Sequence, residues 1–166
     1  MQLIQQTVTL ANLNVRPEKH GEENVGGADL KITFTDSNEL LSEFHPTLRS
    51  FLYKADESQG HLPGQEGALT MRRFGDLVAG FRLKHELKGA TVVIGFGLGG
   101  SSDIELDTVD VDHYSIELME GGSVAYSFRV KCNPTGEQVS RLYEVMGGEI
   151  DMTVTPAIEK QGQLEV

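Results

Sequence analysis

A chain of 166 residues with 14 Lys and Arg against 25 Asp and Glu carries a formal net charge of −11 at pH 7, so it repels nucleic acid at long range unless its charges are segregated. With 39% hydrophobic and 23% charged residues it is globular rather than disordered, and its length suits one domain that buries a core without staples. The single cysteine, Cys132, excludes an intramolecular disulfide and Cys-rich zinc sites, and no apolar run approaches the ~20 residues that span a bilayer.

The opening MQLIQQTVTL has no basic region followed by an apolar block, so it reads as a strand rather than a secretion signal. Val8 and Leu10 alternate with Thr7 and Thr9. The polar, Gly-rich segment Arg16–Gly27 is expected to be a mobile loop. A second strand follows at 28–35, with Leu30, Ile32 and Phe34 on one face. Asp36 is expected to cap a short helix, with Glu39 completing a capping-box pattern and Pro46 ending it. Pro46 then opens a second helix, Thr47–Tyr53, so that Leu40, Leu41, Phe44, Leu48, Phe51 and Leu52 form the apolar side of the pair. Residues 54–67 read as a second polar loop.

Two hairpins are expected next. The first pairs Phe81–Leu87 with Ala90–Phe96 across a Lys88–Gly89 turn. The second pairs a long strand over 102–119, broken or not, with Val124–Val130, where Val124, Tyr126, Phe128 and Val130 share a face. Thr135, with Gln138 in the capping-box position, opens a helix whose apolar stripe is Val139, Leu142, Val145 and Met146, and Gly147–Gly148 stops it. A last strand, Glu149–Thr155, alternates Ile150, Met152 and Val154 before a frayed tail. The 19 glycines agree with many tight turns.

The motif GFGLGG at 95–100, after the apolar run Ala90–Ile94, looks like the start of a dinucleotide site. Such a site needs a helix directly after the glycines, to hold the pyrophosphate at its N-terminus. Here Asp103, Glu105 and Asp107 alternate with Ile104 and Leu106, a period of two, and three carboxylates would stand near the phosphate. The motif is read as a glycine-rich connection between antiparallel strands.

Charge is segregated along the chain. Arg72, Arg73, Arg82, Lys84 and Lys88 fall between 71 and 88, whereas 89–128 holds no Lys or Arg. Asp103, Glu105, Asp107, Asp110 and Asp112 form an acidic strand face whose phase slips near Thr108, as a bulge would cause. That face is the candidate partner-binding surface, able to imitate nucleic-acid phosphates before a DNA-binding protein. Calcium-loop spacing fails, because Asp110-x-Asp112 lacks the following Gly and the terminal Glu. The alternative surface is basic and aromatic, Arg72, Arg73 and Phe74 with Arg82, Lys84 and Lys88, suited to single-stranded nucleic acid. Among His20, His45, His61, His85 and His113 no two have close ligand spacing, so no zinc site is expected. His85 and His113 are assigned to apolar strand faces, and Cys132 is read as a small, buried thiol at a strand end rather than a catalytic thiolate.

The stretches Val8–Arg16 with His20-Gly21, Ala28–Ile32 and Phe44-His45-Pro46-Thr47-Leu48, the Gly-Leu-Gly-Gly-x-Ser-Asp segment and the strand ending Phe128-Arg129-Val130 together resemble small early proteins of tailed bacteriophages over most of the chain. The resemblance implies a phage origin and a place in the cytoplasm of the infected bacterial host. It carries no catalytic residues across.

The expected fold is therefore α+β: mostly antiparallel β hairpins in a partly open barrel or a sandwich, with two or three short helices. One domain is expected over 1–156, with a flexible tail over 157–166. The expected function is non-enzymatic, without cofactor or metal: binding of a host or phage protein, such as a host DNA-processing or defence factor, through the acidic strands. The alternative is an OB-like single-stranded DNA-binding protein of phage replication or recombination. A metal-dependent enzyme on the 103–112 carboxylates ranks third. Exposed strand edges also admit a homo-oligomer.

Overall fold

The computed structural model describes residues 1–20, 23–58 and 67–157, so most of the second polar loop and nearly all of the expected flexible tail lie outside the described residues. The class is α+β, with antiparallel sheet dominating and only short helical segments. Contacts cluster into two compact units, Met1–Phe34 with Lys84–Tyr114 and Ser127–Val166, and Thr35–Leu83 with Ser115–Tyr126.

The first unit is built from β1 (Leu3–His20), β2 (Glu23–Ser37), β6 (Leu87–Gly95), β7 (Ile104–Leu118), β8 (Ser123–Cys132) and β9 (Glu149–Thr155), some of which run beyond it. Their neighbour order is β7-β6-β9-β1-β2-β8, and β7 also pairs with β8, although the sheet is not a clean barrel. Alternation is the cause of the layering: every second residue of a strand points to one side. Val8, Leu10, Leu30, Ile32, Val92, Ile94, Ile104, Leu106, Val130, Ile150, Met152 and Val154 are buried on that side. The α-helix over Gly136–Glu144, α2 in chain order, is capped as expected, with a full Thr135–Gln138 capping box. Its stripe is narrower than expected, because Leu142 alone is buried and Met146 is 40% exposed.

The expected loop at Arg16–Gly27 is strand instead. β1 and β2 stay in register from Arg16↔Gly27 out to His20↔Glu23. A backbone ladder tolerates polar side chains on both faces, and Arg16 pairs with Asp29 at 3.2 Å, so polarity alone did not mark a loop here. Only Gly21 and Glu22 of that segment lie outside the described residues.

The expected hairpin about Lys88–Gly89 does not form either. Lys88 and Gly89 lie inside β6, where Gly89 has φ +66° and the register against β7 shifts between Leu87 and Ala90. A glycine in the left-handed region absorbs the extra residue as a bulge. The phase slip expected near Thr108 is present, with Thr108 at φ +54°, and His113 repeats it at the same φ. β7 stays continuous through both.

The second unit holds α1 (Leu48–Leu52), β3 (Tyr53–Ala55), β4 (Leu69–Arg72), β5 (Gly80–Leu83) and the facing ends of β7 and β8. Ser37, not Asp36, caps the first helical turn, a 3-10 segment at Asn38–Glu43. Asp36 instead accepts the Ser37 N–H at 2.7 Å, which takes its carboxylate away from the helix. Thr47 is the N-cap of α1, so Pro46 stays outside it. β3 also occupies the start of the segment read as a loop. Of the expected apolar side only Leu41 and Leu52 are buried, while Phe51 is 60% exposed. Buried Asn38 donates to the Leu69 carbonyl at 2.6 Å and accepts from Arg49 Nε at 2.7 Å, which satisfies its side chain on both sides. Tyr53 donates its hydroxyl toward the Met119 and Ser123 carbonyls, and Tyr126 donates to the Ser37 carbonyl at 2.8 Å. Burial raises both phenols above their ordinary value. β5 pairs with β7 and not with β6. A Cβ at Gly80 would stand 2.8 Å from the Ile116 carbonyl oxygen, so this approach requires glycine.

Candidate interaction surface

The outward residues of β6 are Thr91, Val93 and Gly95, because Ala90, Val92 and Ile94 point to the core. On one side β6 pairs with β7, Val93 opposite Glu105. On the other it pairs with β9, Val93 opposite Thr153 and Gly95 opposite Asp151. β9 continues to β1, with Asp151 opposite Thr7 and Glu149 opposite Thr9. Exposed Glu105 and Asp107 therefore line one flank of β6, and exposed Glu149 and Asp151 line the other. The outward positions between them are Thr, Val and Gly, with no cation. Thr91 donates to Asp107 at 2.6 Å and Thr7 to Asp151 at 3.4 Å, contacts that orient the carboxylates.

The GFGLGG segment connects β6 to β7, as the period-two pattern after it requires. Gly97, Gly99 and Gly100 all have positive φ, which only glycine adopts freely, and the chain turns back on them. One Asp103 carboxylate oxygen is buried without a hydrogen bond among the described residues, beside a cleft of about 260 Å³ that Gly97 and Asp151 also line. Arg141 donates to the Ser102 carbonyl and lays its guanidinium 4.8 Å from the centre of the Phe96 ring.

Asp110 and Asp112 of the acidic run have a different environment. Lys88 reaches Asp110 at 3.2 Å. Arg129 on β8 grips Asp112 with two bonds of 2.8 Å, and His113 Nδ1 stands 3.0 Å from it. Burial alone would raise the Asp112 carboxyl, but the Arg129 fork and His113 outweigh it and hold the group below its ordinary value. Sequence reasoning missed Glu149 and Asp151, since they lie in another strand of ordinary composition. The alternation of β9, which puts Glu149 and Asp151 opposite Ile150 and Met152, was the available signal.

The basic set is divided between the two units. Arg72, Arg73, Phe74 and Arg82 belong to the second unit, Lys84 and Lys88 to the first. Arg72 is engaged by Glu120 at 2.8 Å and Asp76 at 3.1 Å, Arg73 by the Ser50 carbonyl at 3.1 Å, and Lys88 by Glu86 and Asp110. Arg82 and Lys84 are exposed and carry no ion pair among the described residues. Phe74 contacts exposed Phe51, ring centres 5.2 Å apart.

His113 is not on an apolar face: its side chain is 63% exposed. The slip at its own φ +54° turns the ring outward. His85 is half-buried against Tyr114, ring centres 5.1 Å apart. Burial, with the nearby N-terminal ammonium, lowers its pKa. Cys132 is buried, as expected. Among the described residues no group of three or more His, Cys, Asp or Glu could hold a metal ion, and no helix is long and apolar enough to cross a membrane. No protein-family model, no curated protein and no solved structure matches this chain.

Proposed function

We propose that the chain is a non-enzymatic interaction protein that binds a cationic protein surface through the acidic face of β7, β6 and β9. The observation that carries this reading is the pair of carboxylate rows, Glu105 and Asp107 against Glu149 and Asp151, flanking the uncharged stretch Thr91–Gly95 of β6. Like charges on the two strands that flank β6 repel one another across it, and a basic partner supplies counter-charge to both rows. The resemblance to small early phage proteins sets this in the infected bacterial cytoplasm, where a host DNA-processing or defence factor has such a surface. In an affinity test against purified host DNA-binding proteins, the parent chain retains partners in a salt-sensitive way. The variant Glu105→Gln, Asp107→Asn, Glu149→Gln, Asp151→Asn loses them while folding at least as stably. Retention by that variant overturns the reading.

A second reading, single-stranded DNA binding on an OB-like sheet, is favoured by the Phe51–Phe74 ring pair in the second unit, since exposed aromatics stack on bases. Fluorescence anisotropy with a labelled oligonucleotide tests it. Binding that weakens with salt and with Phe51→Ala supports it, and no binding at low salt removes it.

A further inference from the structure

A second cleft of about 260 Å³ lies on the outward face of β1, β2 and β8 in the first unit, lined by Asn12, Asn14, Lys31, His113, Ser127 and Arg129 together with Asp29 and Phe128. We propose that it is a binding site for a small oxyanion, a free phosphate or the phosphate of a small ester. Ion-pair accounting points that way. Two arginine–carboxylate pairs cancel, Arg16 with Asp29 at 3.2 Å and Arg129 with Asp112 at 2.8 Å. Lys31 remains, with no ion pair among the described residues. Lys31 is thus the cation of this lining that a ligand's charge would meet.

The neutral lining is able to donate as well. The Asn12 and Asn14 carboxamides and the Ser127 hydroxyl supply donors that have no partner among the described residues. His113 completes the set. Its Nδ1–H points at Asp112 from 3.0 Å, and the other bonds of that carboxylate go to the Arg129 fork, so Nε2 of the neutral ring keeps a lone pair that accepts from the P–O–H of a hydrogen phosphate. The residue also sits at φ +54°, a conformation that a non-glycine residue keeps only where its surroundings impose it, and such strain clusters at binding sites.

Titration of the whole chain with inorganic phosphate, followed by the backbone amide resonances of Lys31, Ser127 and His113, tests the proposal. Saturable shifts confined to this cleft are expected, and Lys31→Glu weakens binding by about tenfold or more, as loss of a charge-assisted bond does. Lys54→Glu, on β3 in the second unit, leaves binding unchanged. Phenyl phosphate decides the source: tighter binding than inorganic phosphate identifies an ester, equal binding a free oxyanion. Shifts that never saturate, or a Lys31→Glu variant that binds as well as the parent, overturn the proposal. So does a site that answers only to a single-stranded oligonucleotide.

Discussion

Two faces of the same unit use the same strand alternation and differ in what stands across from each carboxylate. On β7–β6–β9, Glu105, Asp107, Glu149 and Asp151 face threonine, valine and glycine. On β1–β2–β8 and the adjoining part of β7, Asp29 faces Arg16 and Asp112 faces Arg129. Charge in a sequence thus becomes surface charge only where no cross-strand cation meets it. Asp107 and Asp110 are close neighbours in one acidic run, yet Lys88 reaches Asp110 and the Thr91 hydroxyl donates to Asp107. The first face suits a large basic partner. The second is internally neutralised and leaves one cation over a small cleft.

The largest expected effect breaks the paired face. Arg129→Ala leaves the Asp112 carboxylate, 15% exposed, without its fork. The loss is expected to be about 2 kcal/mol in urea unfolding, less than for a fully buried pair because water reaches Arg129, whose side chain is 30% exposed. Partner capture by the acidic face should not change, which separates the two faces.

A pH series sharpens the same contrast. Asp112 is depressed in the folded chain, so its contribution is present above the unfolded value near 4 and is lost as pH falls below it. His85 is also depressed, because its half-buried ring resists protonation, so stability begins to fall at a higher pH, once the pH drops below about 6.5. Thermal melts should therefore show two acid-side losses. His85→Phe removes the upper one and leaves the lower, whereas Arg129→Ala diminishes the lower one.

The smallest effect is expected for Lys88→Gln. Lys88 is 67% exposed, and its contacts with Glu86 and Asp110 are surface pairs in water. Its denaturation midpoint should match that of the parent within error. A clear loss would mean that Asp110 depends on its cation as Asp112 does, and the contrast between exposed and half-buried pairs would fail.

Much of this architecture was legible from local patterns. The buried sets Leu30–Ile32–Phe34, Val124–Tyr126–Phe128–Val130 and Ile150–Met152–Val154 follow from period two alone. The Thr135 capping box and the slip at Thr108 were readable because cap chemistry and phase are local. The reading of GFGLGG as a connection between antiparallel strands was local too, since the period-two pattern after it is β7. The misplaced elements were those that long-range pairing decides. Arg16–His20 is strand because β2 lies beside it, and Phe81–Leu87 splits because its first half pairs with β7.

By itself, then, the sequence determined which residues alternate inward, where the helix over Gly136–Glu144 starts, and that the chain is acidic. Backbone sterics and side-chain hydrogen bonds a few residues apart set those features. Only the tertiary structure decided which carboxylates Arg16 and Arg129 meet, that Glu149 and Asp151 join Glu105 and Asp107, and that His113 turns outward over a cleft. Those outcomes depend on strand neighbours far apart in the chain, and no local pattern encodes which side chain a register will place opposite another.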